Sequence, residues 1–113
     1  MNADSKMWKE VAGFLDEGTG MTGELHFTGR LRLDGEFHGS IFTDGTLVVG
    51  EKASVRGDIK VSEIEIAGHI FGNIEASTRV EILDTGRVQG DVQTPLLVMK
   101  PGSMLDGRTS MNP

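Results

Sequence analysis

The chain of 113 residues contains no cysteine and no tyrosine, and it has a single tryptophan. Without cysteine, neither disulfide bonds nor thiolate metal sites can form, which favours an intracellular compartment. No run of about 18 apolar residues occurs, so the sequence predicts no membrane-spanning helix. Residues 1–20 lack the uninterrupted apolar core and the cleavage site of a signal peptide, and we therefore expect a cytoplasmic protein.

Positive charge is also scarce in this sequence. The formal net charge is −6, because 17 acidic residues face 11 lysines and arginines. Phosphate neutralisation needs stripes of Lys and Arg, so we expect no direct nucleic-acid binding. Gly18-Thr19-Gly20 superficially resembles a phosphate loop, but no lysine stands at the required place and no strand precedes it. The sequence therefore predicts no nucleotide site and no cofactor.

What the sequence does contain is a repeat. Apolar triplets begin at residues 31, 47, 64, 80 and 97, so their starts are separated by 16, 17, 16 and 17 residues. Each triplet is followed eight or ten residues later by a glycine, at Gly39, Gly57, Gly72, Gly90 and Gly107. A fixed period of this kind is typical of a solenoid whose coils consist of short strands.

Alternation of apolar and polar residues predicts which side of each strand is buried. The inward residues fall into three columns, which are Leu33, Val49, Ile66, Ile82 and Met99; Phe37, Val55, Ile70, Val88 and Leu105; and Ile41, Ile59, Ile74 and Val92. Each coil is predicted to contain three short strands, which lie at 47–49, 54–56 and 59–61 in the second coil. The predicted fold class is therefore all-β, a triangular solenoid of about five to six coils.

The chain is predicted to divide into a tail at residues 1–22, the solenoid at residues 23–111, and a short end at residues 112–113. The tail has apolar residues at helical spacing beside the tryptophan, with lysines directed elsewhere. One interpretation is a membrane-targeting helix with Trp8 at headgroup depth. A second is a helix that caps the solenoid or makes a self-contact, and a third is plain disorder. The candidate membrane-targeting residues are Met7, Trp8, Lys9, Val11, Phe14 and Leu15.

The three histidines offer little catalytic chemistry. His26, His38 and His69 each stand beside an inward apolar residue, which predicts outward-facing positions. A metal site or a general base needs converging partners, and no cluster of His, Asp and Glu with ligand spacing occurs in the sequence. We therefore expect neither a metal site nor an enzyme.

Both ends of a solenoid are open strand edges, which are polymerisation surfaces unless they are blocked. We expect end-to-end self-assembly through two interfaces. One lies near Leu25, Phe27 and Leu31, and the other lies near Met99, Leu105 and Met111. Outward apolar residues, which are Val48, Phe71 and Val98, would become rows in a filament and could support lateral bundling.

The repeats also resemble a known family. The segment GRLRLDGEFHGSI at 29–41, followed by similar segments at 47–51, 55–59, 72–76 and 90–95, resembles the bactofilin domain over about residues 23–111. The resemblance implies a right-handed parallel β-helix that assembles without nucleotide into nonpolar filaments. It also implies bacterial cytoskeletal scaffolding at the inner face of the cytoplasmic membrane, serving cell-shape, cell-wall or chromosome-segregation factors. Met7-Trp8-Lys9 resembles a membrane-targeting element of some members.

Two alternative functions remain open at this point. A soluble β-helical adaptor that never polymerises would have the same repeats. A left-handed hexapeptide-repeat acyltransferase would need nearly unbroken six-residue steps and a catalytic histidine, and periods of 16 and 17 residues break those steps.

Overall fold

The computed structural model describes residues 18 and 20–111. Within this part of the chain every regular element is a strand, and all strand pairs are parallel. The strands are β1 Gly20–Phe27, β2 Arg30–Leu33, β3 Glu36–Thr43, β4 Thr46–Val49, β5 Ser54–Ile66, β6 His69–Ile82, β7 Arg87–Gln89, β8 Val92–Gln93, β9 Leu97–Met99, β10 Met104–Asp106 and β11 Thr109–Ser110. They form one sheet wound into a solenoid of about six turns, which confirms the predicted all-β parallel β-helix.

The solenoid has three faces, because each strand pairs with the equivalent strand one coil later. Face 1 carries the apolar triplets and consists of β2, β4, the ends of β5 and β6, and β9. Face 2 consists of the first halves of β1 and β3, the starts of β5 and β6, and β7 and β10. Face 3 consists of the second halves of β1 and β3, the middles of β5 and β6, and β8 and β11.

The middle coils are more continuous than the sequence predicts. Separate strands are expected at 54–56 and 59–61, whereas β5 runs through both and into the next triplet over 13 residues. β6 does the same over 14 residues, and the register between the two strands shifts once, between Val61 and Glu63. The corners turn the chain without ending the parallel ladder. The first strand also begins at Gly20, ahead of the predicted solenoid boundary at Gly23.

Stacked glycines form the corner between face 2 and face 3. Their φ angles lie between 133° and 146°, a region that residues with side chains rarely adopt. A Cβ atom built on Gly57 would lie 1.7 Å from the carbonyl oxygen of Gly39 in the preceding coil. Glycine is therefore required both by the backbone conformation and by the close approach of successive coils. The six stacked glycines are Gly23, Gly39, Gly57, Gly72, Gly90 and Gly107.

The interior contains the three predicted columns. Every member is buried up to Ile82, Val88 and Val92, and only the members in the last coil are not. Two further inward columns were missed by sequence reasoning. One consists of Leu31, Leu47, Ile64 and Val80, and the other consists of Phe27, Val61, Ala76 and Thr94, with the half-buried Thr43 between Phe27 and Val61. The Thr94 hydroxyl is satisfied inside the core, because it donates to the Leu96 carbonyl oxygen at 3.1 Å and accepts from the Leu96 N–H at 3.3 Å.

Candidate assembly interface

The C-terminal coil ends the sheet with three short strands. β9 pairs with β6, β10 pairs with β7, and β11 pairs with β8, and no strand among residues 18 and 20–111 covers their other edges. Unpaired N–H and C=O groups on such an edge can bond to the strands of another chain. This end therefore offers a template for stacking at a strand spacing of about 4.7–4.9 Å.

The same coil carries the exposed apolar surface of the described residues. Their exposed large hydrophobic side chains are Leu96 (49 %), Met99 (44 %), Met104 (53 %) and Met111 (50 %). Leu97 and Leu105 are partly buried against the core beneath them. Apolar groups that are clustered on a surface mark interaction sites, whereas scattered ones do not. We call residues 96–111 the apolar end.

The apolar end contains three residues of the predicted interface, Met99, Leu105 and Met111. Met99 and Leu105 were also expected as core residues, and they are incompletely buried because no described coil follows theirs. The assembly role of all three stays a prediction. Two further residues of this surface, Leu96 and Met104, were missed by sequence reasoning. One signal was present, because the positions aligned with Met104 are polar in the four preceding coils, from Glu36 to Arg87.

Among residues 18 and 20–111, the N-terminal end has strand edges without a described partner and no exposed large apolar side chain. Within the described residues β1 pairs only with β3, and β2 pairs only with β4. The side chains predicted for this interface lie inside the solenoid, with Leu25 at 0 %, Phe27 at 3 % and Leu31 at 1 % exposure. This end can therefore offer strand edges to a partner but not these three side chains. Their interface role stays a prediction.

The candidate membrane-targeting residues lie outside the described residues. They are Met7, Trp8, Lys9, Val11, Phe14 and Leu15. Among residues 18 and 20–111, no helix is long and apolar enough to cross a membrane.

Ion pairs run along the outside of face 1, parallel to the solenoid axis. The pairs are Arg30–Glu65 (3.4 Å), Arg79–Glu65 (4.0 Å), Arg79–Glu81 (3.3 Å) and Lys100–Glu81 (3.7 Å). Glu65 and Glu81 stand on adjacent strands in the same column, so these cations offset a like-charge contact. The charges on this face are therefore largely used within the chain, and Lys100 links the apolar end to the coil beneath it.

Arg32 and Asp34 form a separate pair near the N-terminal end of face 1. The Arg32 Nε donates to both carboxylate oxygens, at 3.1 Å and 3.0 Å. This hydrogen bond, and then the attraction of the carboxylate charge, raise the pKa of Arg32 above its ordinary value. Because the pKa of Arg32 is higher in the folded chain than in the unfolded chain, the protonated side chain stabilises the fold at every pH below the unfolded-state pKa. This stabilisation is lost only when the pH rises through the folded-state pKa. The pair therefore gives no pH dependence near neutrality.

Face 2 carries aromatic and cationic side chains. The guanidinium of Arg56 lies 4.5 Å from the ring centroid of Phe71, and the centroid of the His69 ring lies 6.0 Å from the same centroid.

The outward positions predicted from the sequence lie on all three faces. His38 and His69 are exposed, which confirms their predicted outward positions, and His26 is half-buried beside Glu24 at 2.5 Å. The outward residues Val48, Phe71 and Val98 are half-buried, and their role in lateral contacts stays a prediction.

Face 3 holds two shallow grooves of about 650 and 600 Å³, which share the ridge of Phe42, Lys60, Glu75 and Gln93. The first groove is lined by the rings of His26 and Phe42, whose centroids are 4.9 Å apart. In the part of the chain that the structure describes, no group of three or more His, Asp, Glu or Cys residues is arranged to hold a metal ion. The apolar end is the stronger candidate site, because exposed apolar side chains and strand edges without a described partner coincide there.

The chain is similar to proteins of a polymer-forming family. The family model described as "Bactofilin: Polymer-forming cytoskeletal" matches residues 13–110. The chain is 33 % identical to bactofilin BacO of Myxococcus xanthus (strain DK1622) over 90 residues, covering 80 % of this chain and 71 % of BacO. It is 31 % identical to bactofilin BacP of the same organism over 91 residues, covering 80 % of this chain but only 36 % of BacP. No solved structure matches the chain significantly.

Proposed function

The chain belongs to the bactofilin family, and we propose on that basis that it polymerises end to end as a cytoskeletal scaffold. The family is structural rather than enzymatic. The observation that supports the proposal is the apolar end, where unpaired strand edges and exposed apolar side chains coincide. A second solenoid stacked there would pair those edges and remove Met99 and Leu105 from water.

We further propose that the filaments are nonpolar. At the N-terminal end Leu25 and Leu31 are already buried, whereas the other end exposes apolar side chains. Joining two apolar ends covers apolar surface on both partners in a two-fold, isologous contact. A second junction between N-terminal strand edges then links such dimers into a filament without direction. Assembly needs no nucleotide in this scheme, because strand pairing and apolar burial supply the free energy.

The substitution Leu105→Arg tests the apolar end directly. Leu105 lies in β10 and is partly buried against the core, so a charge there would be desolvated at the junction at a cost of several kcal/mol. We expect folded subunits or small oligomers in place of filaments, by electron microscopy and sedimentation without nucleotide. Gln89→Arg is the matched control, because Gln89 is an exposed residue of β7 in an inner coil.

The control should form filaments like the wild-type chain. Long filaments of folded Leu105→Arg protein would remove this site from the interface. Folded protein that forms no filaments in any variant, including the wild type, would instead support the non-polymerising adaptor.

We propose that Met7, Trp8, Lys9, Val11, Phe14 and Leu15 attach the filament to the inner face of the cytoplasmic membrane. The support is their apolar spacing beside a tryptophan and a lysine. One such segment is a weak anchor, but a filament presents one per subunit, so avidity makes the attachment firm. Phe14 and Leu15 fall within the family match, which begins at residue 13, so Met7, Trp8, Lys9 and Val11 are the candidate residues that precede the match.

Liposome flotation tests the membrane attachment. Deleting residues 1–12 should leave filaments intact but free of liposomes, and Leu105→Arg should reduce flotation although the tail is unchanged. Equal flotation of the wild type and the deleted protein would show that the tail has another role. In cells, the scaffold would position cell-wall or chromosome-segregation proteins, and Leu105→Arg should disperse any such client.

A further inference from the structure

We propose that the methionines of the apolar end are an oxidation site through which peroxide controls assembly. The inference rests on the proposed end-to-end polymerisation, because it assigns a modification to the same surface. The modified residues would be Met99, Met104 and Met111, whose side chains are 44 %, 53 % and 50 % exposed. The oxidant class is hydrogen peroxide or another two-electron peroxide.

Methionine is confined to particular coils of the described solenoid. The inner positions aligned with Met99 are aliphatic in every earlier coil, namely Leu33, Val49, Ile66 and Ile82. The outer positions aligned with Met104 are polar, namely Glu36, Ser54, His69 and Arg87. The one methionine of the described residues outside the apolar end, Met21, is 9 % exposed. Thioethers therefore replace two different residue classes in the last coil, which the junction at the apolar end would cover.

Methionine suits a junction for a physical reason. Its unbranched, polarizable side chain adapts to an irregular partner surface, which β-branched residues do not. The same thioether can be oxidised, and leucine of similar volume cannot. Position and residue type together thus distinguish this coil from an ordinary apolar end.

The reaction is balanced without a further cofactor. The sulfur lone pair attacks one peroxide oxygen, and the S–O bond forms as the O–O bond breaks. The second oxygen leaves as hydroxide and becomes water by taking the proton of the transferred oxygen. The thioether sulfur is oxidised by two electrons as it becomes a sulfoxide, and the peroxide is reduced by the same two electrons. Methionine sulfoxide reductases reverse the change.

Oxidation would weaken the junction because a sulfoxide is a strongly polar group. A sulfoxide that has no hydrogen-bond donor at a buried junction is expected to raise the critical concentration for assembly by at least about tenfold. Sulfur already covered in a filament should react slowly, so oxidation would act on free subunits and filament ends.

The three positions should not contribute equally. The Met104 sulfur accepts a hydrogen bond from Arg87 Nη1, so a sulfoxide there keeps a cationic donor. Met99 pairs with Ile82 and continues an inner apolar column, so a sulfoxide there stands beside an aliphatic side chain. We therefore expect Met99 to carry most of the effect and Met104 the least.

The experiment compares the wild-type chain with a triple variant, Met99→Leu, Met104→Leu and Met111→Leu, which retains Met1, Met7 and Met21. Both proteins are treated as free subunits below the critical concentration with graded hydrogen peroxide. Peptide mass spectrometry then measures oxidation at each site, and sedimentation measures the critical concentration. Peroxide should raise the critical concentration of the wild type and leave that of the triple variant unchanged. Methionine sulfoxide reductases should restore the wild type.

Single variants sharpen the assignment. Met99→Leu should remove most of the peroxide sensitivity, whereas Met104→Leu should remove little. Met99→Gln introduces a polar side chain that needs no oxidant, and in the absence of peroxide it should give a higher critical concentration than Met99→Leu.

Each contrary outcome has a distinct meaning. Unchanged assembly of wild-type protein that is fully oxidised at the three sites overturns the oxidation proposal and leaves polymerisation standing. Equal sensitivity of the triple variant assigns the effect to other methionines and also overturns it. If neither protein polymerises before treatment, the proposed function itself fails.

Discussion

The middle coils and the last coil of this solenoid share one register but differ in chemistry. Ile66, Ile82 and Met99 stand in the same inner column, yet the first two are fully buried and the third is 44 % exposed. β5 and β6 run for 13 and 14 residues, whereas β9, β10 and β11 have only three, three and two. The middle coils therefore stabilise the fold through buried side chains, whereas the last coil leaves apolar side chains exposed on the surface.

The comparison also shows how a solenoid can leave apolar side chains exposed in a terminal coil. Each coil buries its neighbour, so a terminal coil is covered on one side only. Here that coil lacks the long continuous strands of β5 and β6 and carries exposed methionines. Changes in the middle should therefore alter folding, and changes at the end should alter association.

The largest difference should come from the corner glycines. In Gly57→Ala the new Cβ would lie 1.7 Å from the Gly39 carbonyl oxygen, and in Gly107→Ala it would lie 1.9 Å from that of Gly90. The middle coil is held on both sides, so we expect Gly57→Ala to lower the free energy of unfolding by about 4 kcal/mol or more. The last coil can shift outward, which limits Gly107→Ala to about 1–3 kcal/mol.

Denaturant unfolding in the Leu105→Arg background measures both glycine variants without interference from disassembly. Asp58→Ala is the control, because Asp58 follows Gly57 and is exposed. Equal losses for the two glycine variants would contradict the greater constraint on the middle coils.

A smaller contrast should appear within one inner column. Ile66→Ala removes a fully buried side chain and should lower the free energy of unfolding by about 2–5 kcal/mol. Met99→Ala removes a side chain that is nearly half exposed, and it should cost less than about 1 kcal/mol while weakening filament formation. Denaturation and sedimentation of the same samples separate the two effects. A Met99→Ala chain that unfolds as readily as Ile66→Ala would place the last coil within the folding core.

Much of the fold could be predicted because its signals are local. Alternation at period two, repeated every 16 or 17 residues, fixes both the inward columns and the coil count. A glycine at one place in every coil indicates a corner that no side chain can occupy, and Gly57 illustrates this. The last coil could be recognised as an end from the same periodicity, which is why Met99, Leu105 and Met111 could be proposed.

The features that could not be predicted depend on contacts between coils, which the sequence of a single strand does not show. The continuity of β5 needs the backbone ladder to persist around two corners, and the residue pattern does not distinguish this from separate strands. The exposure of Met104 depends on which neighbours stand beside an outward position. The ion pairs of Glu65 and Glu81 require the coils to be aligned by register first. The repeat pattern likewise did not predict that Leu25 is fully buried at the N-terminal end.

The smallest expected effect concerns Glu81, whose ion pair with Lys100 connects the last coil to the coil beneath it. Glu81 is 14 % exposed and pairs with Arg79 at 3.3 Å and Lys100 at 3.7 Å, whereas Asp34 is 30 % exposed and pairs with Arg32. Glu81→Gln should lower the free energy of unfolding by about 0.5–1 kcal/mol, and Asp34→Asn by less than about 0.5 kcal/mol, because exposure weakens ion pairs. Denaturation at low salt and at about 1 M NaCl tests this, since screening should shrink both losses. A Glu81→Gln chain as stable as the wild type at low salt would show that repulsion from Glu65 cancels the two pairs.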